Sequence, residues 1–475
     1  MSSSGPPKPI FGIEIEIFVK VKRDVERDVQ AHRSRGSSLP THWQEWSFSL
    51  TNDRPTSTDT FNRQARQRAC VKLALTSLIN DALGRNHGWK CVGDASLSEW
   101  KLEDAPESDL WWGIEIISPP MSIAKRWQSE IREVFDAIGE QFELWTHPVT
   151  SCHVHVSPGP TSKTKYKASQ MVRIAKGAFY WEDALRSLLP HDRRRNDYAK
   201  ANHKAFATSL YNNVERNGWK PVFNAIENEM DRFENHRQGQ LKCFAIKIAG
   251  GHLSHPNAKY RKERYLSMNF LPYTRIGTIE FRRQGGVASA QSAIHRVLLA
   301  VSLHISARKF DFNAVANKKS YPKTEDLIQE LKAVIASMPK TCHGTKFVGY
   351  LRECVEMYGH REPMSERAVN ARERRLHDTS GSSVMSVPST GPGRVSTGMG
   401  SGNTPRRTGP PPARGGGGGG GGRGGRGGGG GGGRGGGGSG PRIVEASPGA
   451  PARRGTTVVR GRGGNTYEIV DAPYR

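Results

Sequence analysis

The chain has 475 residues, a formal net charge of +25, 54 glycines and a mean hydropathy of −0.62. That length gives room for one large domain or two ordinary ones. No apolar run approaches the ~20 residues a membrane-crossing helix needs, and no secretory n-h-c pattern opens the chain, so an intracellular (cytoplasmic or nuclear) protein with no membrane partner is expected.

In chain order, MSSSGPPK reads as a flexible lead over residues 1–8, and FGIEIEIF at 11–18 as a strand. Residues 20–62 are polar and charged and read as an insertion or long loop. Ala69, Val71, Leu73, Leu75 and Leu78 give residues 66–83 the apolar side of a helix. HGWKCVGDASLSEW predicts a strand running into a loop, and WWGIEIISPP a second strand stopped by Pro119 and Pro120. In SIAKRWQSEIREVFDAIGEQFEL the apolar residues fall near helical spacing, which predicts an amphipathic helix. SCHVHVSP reads as a strand, followed by a helix over about 166–189; residues 191–260 show no clear pattern. RYLSMNFLP and GTIEFRRQGG predict two more strands, and residues 288–307, 323–338 and 344–358 three helices. The expected class is α+β, with a mostly antiparallel sheet.

From about Arg374 the chain turns to Ser, Pro and Gly, which sets a folded domain over 9–374 apart from a tail over 375–475. The tail contains PPPARGGGGGGGGRGGRGGGGGGGRGGGGSGPR, with almost nothing apolar to offset its ordering entropy, so disorder is expected there. Thirteen arginines against Glu445, Glu468 and Asp471 put ten of the twenty-five net charges after residue 380, and the folded part is basic in its own right. The six cysteines are scattered without a CxxC pair and read as reduced thiols.

The strands carry unusual chemistry. Residues i and i+2 of a strand face the same way, so Glu14 and Glu16 share one face and Ile13, Ile15 and Ile17 the other, which must be the core side. An ordinary amphipathic strand with its polar face in water would look the same. Yet the pattern recurs in Glu115, between Ile114 and Ile116, and in Glu280, between Ile279 and Phe281, although glutamate is depleted in strands. His153 and His155 repeat the geometry with imidazoles, as metal or phosphate contacts or as a solvent-facing pair. If these carboxylates line one cavity, each pair at 4 Å repels by roughly 1 kcal/mol in water and by several times more in a drier site. Either some are protonated or cations sit among them. Oxygen ligands with an occasional imidazole favour Mg²⁺ or Mn²⁺, and Mg²⁺ normally shares its shell with phosphates, which makes a nucleotide the natural partner.

Glu280 and Arg282 are again i and i+2, a carboxylate for a cation beside a guanidinium for phosphoryl oxygens. Arg264 and Asn269 are further candidates, the arginine reading equally as a surface charge. Asp94 and Ser96 in GDAS could ligate through oxygen or simply make a turn.

GIEIE, GDAS, GIEIISP, CHVHV, RY-x-x-x-N and TIEFR stand in the order seen in the amidoligase family, carboxylate–amine ligases related to glutamine synthetase and glutamate–cysteine ligase. The chain resembles that family over about residues 11–284 and the helices out to about 358. The resemblance implies a curved sheet with helices on its outer face and ATP with Mg²⁺ or Mn²⁺ as cofactors. It implies Glu14, Glu16, Glu115 and Glu280 as metal ligands, and His153 or His155 as the histidine near metal and nucleotide. It also implies Arg282 as the phosphate-binding arginine, with Arg264 as a second phosphate contact. The expected activity is ATP-dependent amide formation through an acyl phosphate, on small-molecule or peptide acids and amines that the motifs do not identify. Two other readings stand beside it: an RNA-binding scaffold whose Gly-Arg tail makes weak, salt-sensitive contacts, and a metal-dependent hydrolase using the same side chains to activate water.

Overall fold

The structure is a computed structural model that describes residues 9–44, 46, 57–84, 87–94, 97, 102, 105–107, 110–159, 164–194, 196–236, 239–251, 264–343, 346–358, 367–371, 456–460 and 466–470. The chain divides into two units, Met1–Ser383 with Ile469–Arg475, and Val384–Glu468.

Alternation of apolar and acidic residues makes β1 (Ile10–Val21) the axis of the larger unit. Ile13, Ile15 and Ile17 are each no more than 1% exposed, so the isoleucine face is the core face. At twelve residues, β1 serves two partner strands end to end along each edge. On one edge lie β3 (Trp112–Ile117) and β4 (Met121–Ser122), separated by Pro119 and Pro120, which cannot continue a ladder. Ser118 bridges that break, its Oγ accepting from the Ile13 N–H at 2.9 Å. On the other edge lie β5 (Phe142–Trp145) and β6 (Cys152–Val156), joined by a turn over 146–151. With β2 (Lys90–Val92), β7 (Met268–Asn269) and β8 (Ile279–Phe281), the order is β2-β3-β1-β6-β8-β7, antiparallel at every ladder and not closed into a barrel.

Helices cover the isoleucine face. Ala290–Lys309 packs on β1 and β6 and is buried nearly all round, as a helix enclosed by neighbours must be. Its Ser289 cap accepts from the Ser292 N–H at 3.2 Å. It meets the helix Ala168–Tyr180 where a Cβ on Gly177 would lie 2.6 Å from Ala307 Cβ, so only glycine permits that approach. Thr58–Leu83 lies behind β2 and β3, and Trp127–Gln141 packs against both this helix and Ala290–Lys309. The class is α+β, as the alternating segments predict.

Several boundaries differ from the sequence reading. Residues 20–62 are no uniform loop: β1 runs to Val21, helices follow at Arg23–Ser34 and Thr41–Gln44, and the next helix starts at Thr58. The helix Arg23–Ser34 buries only Val29, so its apolar signal is faint; Arg33 ties it down by donating to the carbonyls of Trp43, Gln44 and Trp46. The amphipathic helix ends at Gln141, and FEL, read as its last turn, belongs to strand β5. Much of 191–251 is helical, mainly Lys220–Arg232 and Gln240–Ile248. In the tail, Thr456–Arg460 and Thr466–Val470 pair as two strands. The disorder expected of the rest of 375–475 falls outside the described residues.

Candidate active site

Register decides what each acidic side chain meets. Glu16 stands opposite Glu115, Glu14 opposite His153, and Gly12 opposite His155. His155 in turn faces Glu280, and Glu280 faces Asn269. Strand alternation sends all of these side chains to the face away from the isoleucines. Four glutamates, two histidines and an asparagine, drawn from five strands, therefore form one row across the sheet.

The side chains converge. His153 Nδ1 lies 3.4 Å from Glu14 Oε2 and 3.5 Å from Glu280 Oε1, while His153 Nε2 lies 3.7 Å from Glu16 Oε1. His155 Nε2 is 3.1 Å from Glu14 Oε1 and 3.8 Å from Glu280 Oε1. Arg282 donates from Nη1 to Glu280 Oε1 at 2.5 Å, and Asn269 donates to Glu280 Oε2 at 2.7 Å. Both histidines thus lie in the carboxylate cluster.

The electrostatics are uneven along the row. Burial pushes the Glu115 carboxyl up to about 9, with Glu14, Glu16 and Asp94 adding to the rise and Arg282 opposing it. Burial also acts to raise Glu14, but His153 and His155 overcome it and hold this carboxyl well below 4.5. Glu280 is likewise lowered: burial is outweighed by Arg282, His155 and His153. Burial would depress His155, yet Glu280 and Glu14 raise it.

Several supporting residues escaped the sequence reading. The turn over 146–151 brings the Ser151 N–H and hydroxyl to Glu16 Oε2 at 2.7 and 2.6 Å. Gly286 lets this turn sit close, since a Cβ there would lie 2.1 Å from Thr150 Oγ1. Thr278 Oγ1 pairs with His155 Nδ1 at 3.0 Å and so turns Nε2 toward the carboxylates. Thr278 shares its face with Glu280 and Arg282 by the same two-residue period, so that signal was present in the sequence. So was Tyr265, two and four residues before Ser267 and Asn269; its ring centroid lies 5.8 Å from Arg282 Cζ.

The remaining candidates lie further out. Arg264 is exposed and donates to the Tyr265 hydroxyl, so it stands at the rim and not among the carboxylates. Asp94 is close enough to raise Glu115; Ser96 lies outside the described residues. Arg283 points away from Arg282, to a buried pairing with Glu182 behind the sheet.

The donor set suits a divalent cation. Glu14, His155 and Glu280 offer ligand atoms within 4.8 Å of one another, and so do Glu14, Glu115 and His153. Arg282 Nε is buried without a hydrogen-bond partner, an orphaned donor of the kind that a bound anion satisfies. Carboxylate oxygens with imidazole fit Mg²⁺ or Mn²⁺.

The model of a protein family described as "Putative amidoligase enzyme" matches residues 7–304, a stretch that contains all eight strands of the sheet and every residue of the row. The chain belongs to this family. The amidoligase match gives the protein a ligase-type function and small-molecule substrates as its class of partner. Curated proteins provide no match. Among solved structures the amidoligase is similar to one described as "Crystal structure of novel glutamine synthase homolog", with 14% identity, 78% of this chain and 71% of that chain covered, and a TM-score of 0.29. No helix among the described residues is long and apolar enough to cross a membrane.

Proposed function

We propose that the protein is an ATP-dependent carboxylate–amine ligase that makes an amide through an acyl phosphate, with Mg²⁺ or Mn²⁺ as its cofactor. One observation carries the reading: Glu14, Glu16, Glu115, Glu280, His153 and His155 meet on one sheet face with Arg282 beside them. So many acidic groups in a part-buried site repel unless cations join them, and Arg282 adds a guanidinium suited to phosphoryl oxygens.

A carboxylate is a poor acyl donor, because an attacking amine would have to expel oxide. In the proposed reaction a carboxylate oxygen of the acid attacks the γ-phosphorus of ATP, the bond to the β-phosphate oxygen breaks, and ADP leaves. The amine nitrogen then attacks the carbonyl carbon, the carbon–oxygen bond to the phosphoryl group breaks, and phosphate leaves as the nitrogen gives up its proton. A bound divalent cation would neutralise charge on the phosphoryl oxygens. Glu14, Glu16, Glu115, Glu280 and the two histidines would hold it. Ser151 fixes the Glu16 carboxylate and Thr278 the His155 ring, so these groups need little reorganisation when the nucleotide arrives. Arg282 would grip the transferring group.

Six scattered cysteines, five of them buried, suit the reducing interior of a cell. The decisive assay is ADP release across a panel of small amino acids and peptides. The ligase reading expects release only when an acid and an amine are both present. Turnover without nucleotide would favour metal-dependent hydrolysis instead.

A further inference from the structure

We propose that Tyr265 is a positioning residue for Arg282: its ring is the surface on which the guanidinium moves between Glu280 and a nucleotide phosphate. The inference rests on the ligase reading of the site and concerns a residue to which that reading gives no role.

Arg282 has two claims on its charge. Its Nη1 is bonded to Glu280 Oε1, the oxygen that also lies 3.5 Å from His153 and 3.8 Å from His155 and belongs to the candidate ligand set. A cation binding at that oxygen competes with the guanidinium, which must then find another acceptor. Arg282 Nε–H, buried and without a hydrogen-bond partner, is one of the guanidinium donors available to meet one. A second directional partner would pin the arginine in one pose. Attraction to an aromatic face is broad, operating out to about 6 Å from the ring centroid, so it tolerates a shift of the guanidinium. The Tyr265 ring centroid is 5.8 Å from Arg282 Cζ.

Backbone hydrogen bonds hold both residues in place. The Arg282 carbonyl accepts from Arg193 Nη2 at 2.9 Å, and its N–H donates to the Ser267 carbonyl at 3.0 Å. The Tyr265 carbonyl accepts from the Lys200 N–H at 2.7 Å. The Tyr265 ring has Tyr198 edge-on at 5.1 Å and the Arg264 guanidinium at 4.6 Å. Arg193, Tyr198 and Lys200, from the stretch 191–260 in which the sequence showed no clear pattern, thus brace the arm that carries Arg282.

The test compares wild type, Tyr265→Phe and Tyr265→Leu by calorimetry, titrating Mn²⁺ alone and then ATP in the presence of Mn²⁺, with thermal melting to check the fold. Tyr265→Phe keeps the ring and should bind both within twofold of wild type. Tyr265→Leu should bind Mn²⁺ within twofold but ATP about five- to tenfold more weakly, the scale of a part-desolvated cation–π contact. If leucine loosens the fold, Tyr265→Met keeps bulk without the aromatic face and should show the same split. Unchanged ATP affinity in the leucine or methionine variant would overturn the positioning role and leave the ligase reading standing. Equal loss of Mn²⁺ and ATP binding would also overturn it, as a sign of general structural damage. Wild-type protein that binds Mn²⁺ but no ATP would remove the ligase reading and this inference together.

Discussion

Glu16 and Glu115 stand directly opposite each other across β1 and β3, a like-charged pairing that weakens a sheet. The strain shows in Glu115, whose carboxyl is pushed up to about 9 by burial and by its acidic neighbours. A carboxyl whose pKa is higher folded than unfolded binds its proton more tightly in the folded chain. Its stabilising contribution is full below the unfolded value near 4.5 and is lost as pH rises through about 9. Glu14 and Glu280 have the opposite sign: their folded pKa values are lowered, so their contributions are present above 4.5 and lost as pH falls. In chelator, Glu115→Gln should therefore gain melting temperature over wild type as pH rises from 6 to 9, and added Mg²⁺ should shrink the difference. Parallel melting profiles for the two proteins would show that Glu115 does not carry the strain.

At the scale of elements, the four glutamate-bearing strand positions and their shared face were legible because a two-residue period needs no knowledge of partners. Which residues stand opposite one another was not legible, because register depends on turns and breaks such as the one over 146–151 that delivers Ser151 to Glu16. FEL was lost to the preceding helix because no proline or glycine stands between Gln141 and Phe142. The helix Arg23–Ser34 was lost because it buries a single apolar residue. The repeated Gly-Ile-Glu-Ile was visible, but the need for its second glycine was not. A Cβ on Gly113 would lie 2.5 Å from Leu97 Cβ, and Leu97 packs with Phe18, Trp111 and Trp145 in a second apolar cluster. Gly113→Ala should push Leu97 off this cluster and cost about 1–3 kcal/mol, as overpacking does. Denaturant unfolding checks the loss, and an unchanged midpoint would mean that the segment carrying Leu97 yields freely.

Across the whole molecule, the sheet puts its isoleucine side against helices and turns its acidic row away from them, so one long central strand serves the core and the candidate site at once. The turn that supports Glu16 is held from far along the chain: Asn370 accepts from the Thr146 N–H at 2.7 Å and donates to the Thr146 carbonyl at 2.6 Å. Resemblance to the amidoligases was legible in six short motifs, because five of them contain residues of the row and the sixth, GDAS, follows β2 in the sequence. The identity of the acid and the amine was not. Calorimetric titration of ATP into the full-length protein, with Mg²⁺ and with chelator, tests the cation–nucleotide site most directly when Glu16→Gln and Glu280→Gln are measured beside wild type. The account predicts binding that needs Mg²⁺ and falls at least about tenfold in both variants while their melting temperatures hold. Nucleotide affinity equal in all three proteins, or indifferent to the chelator, would contradict it.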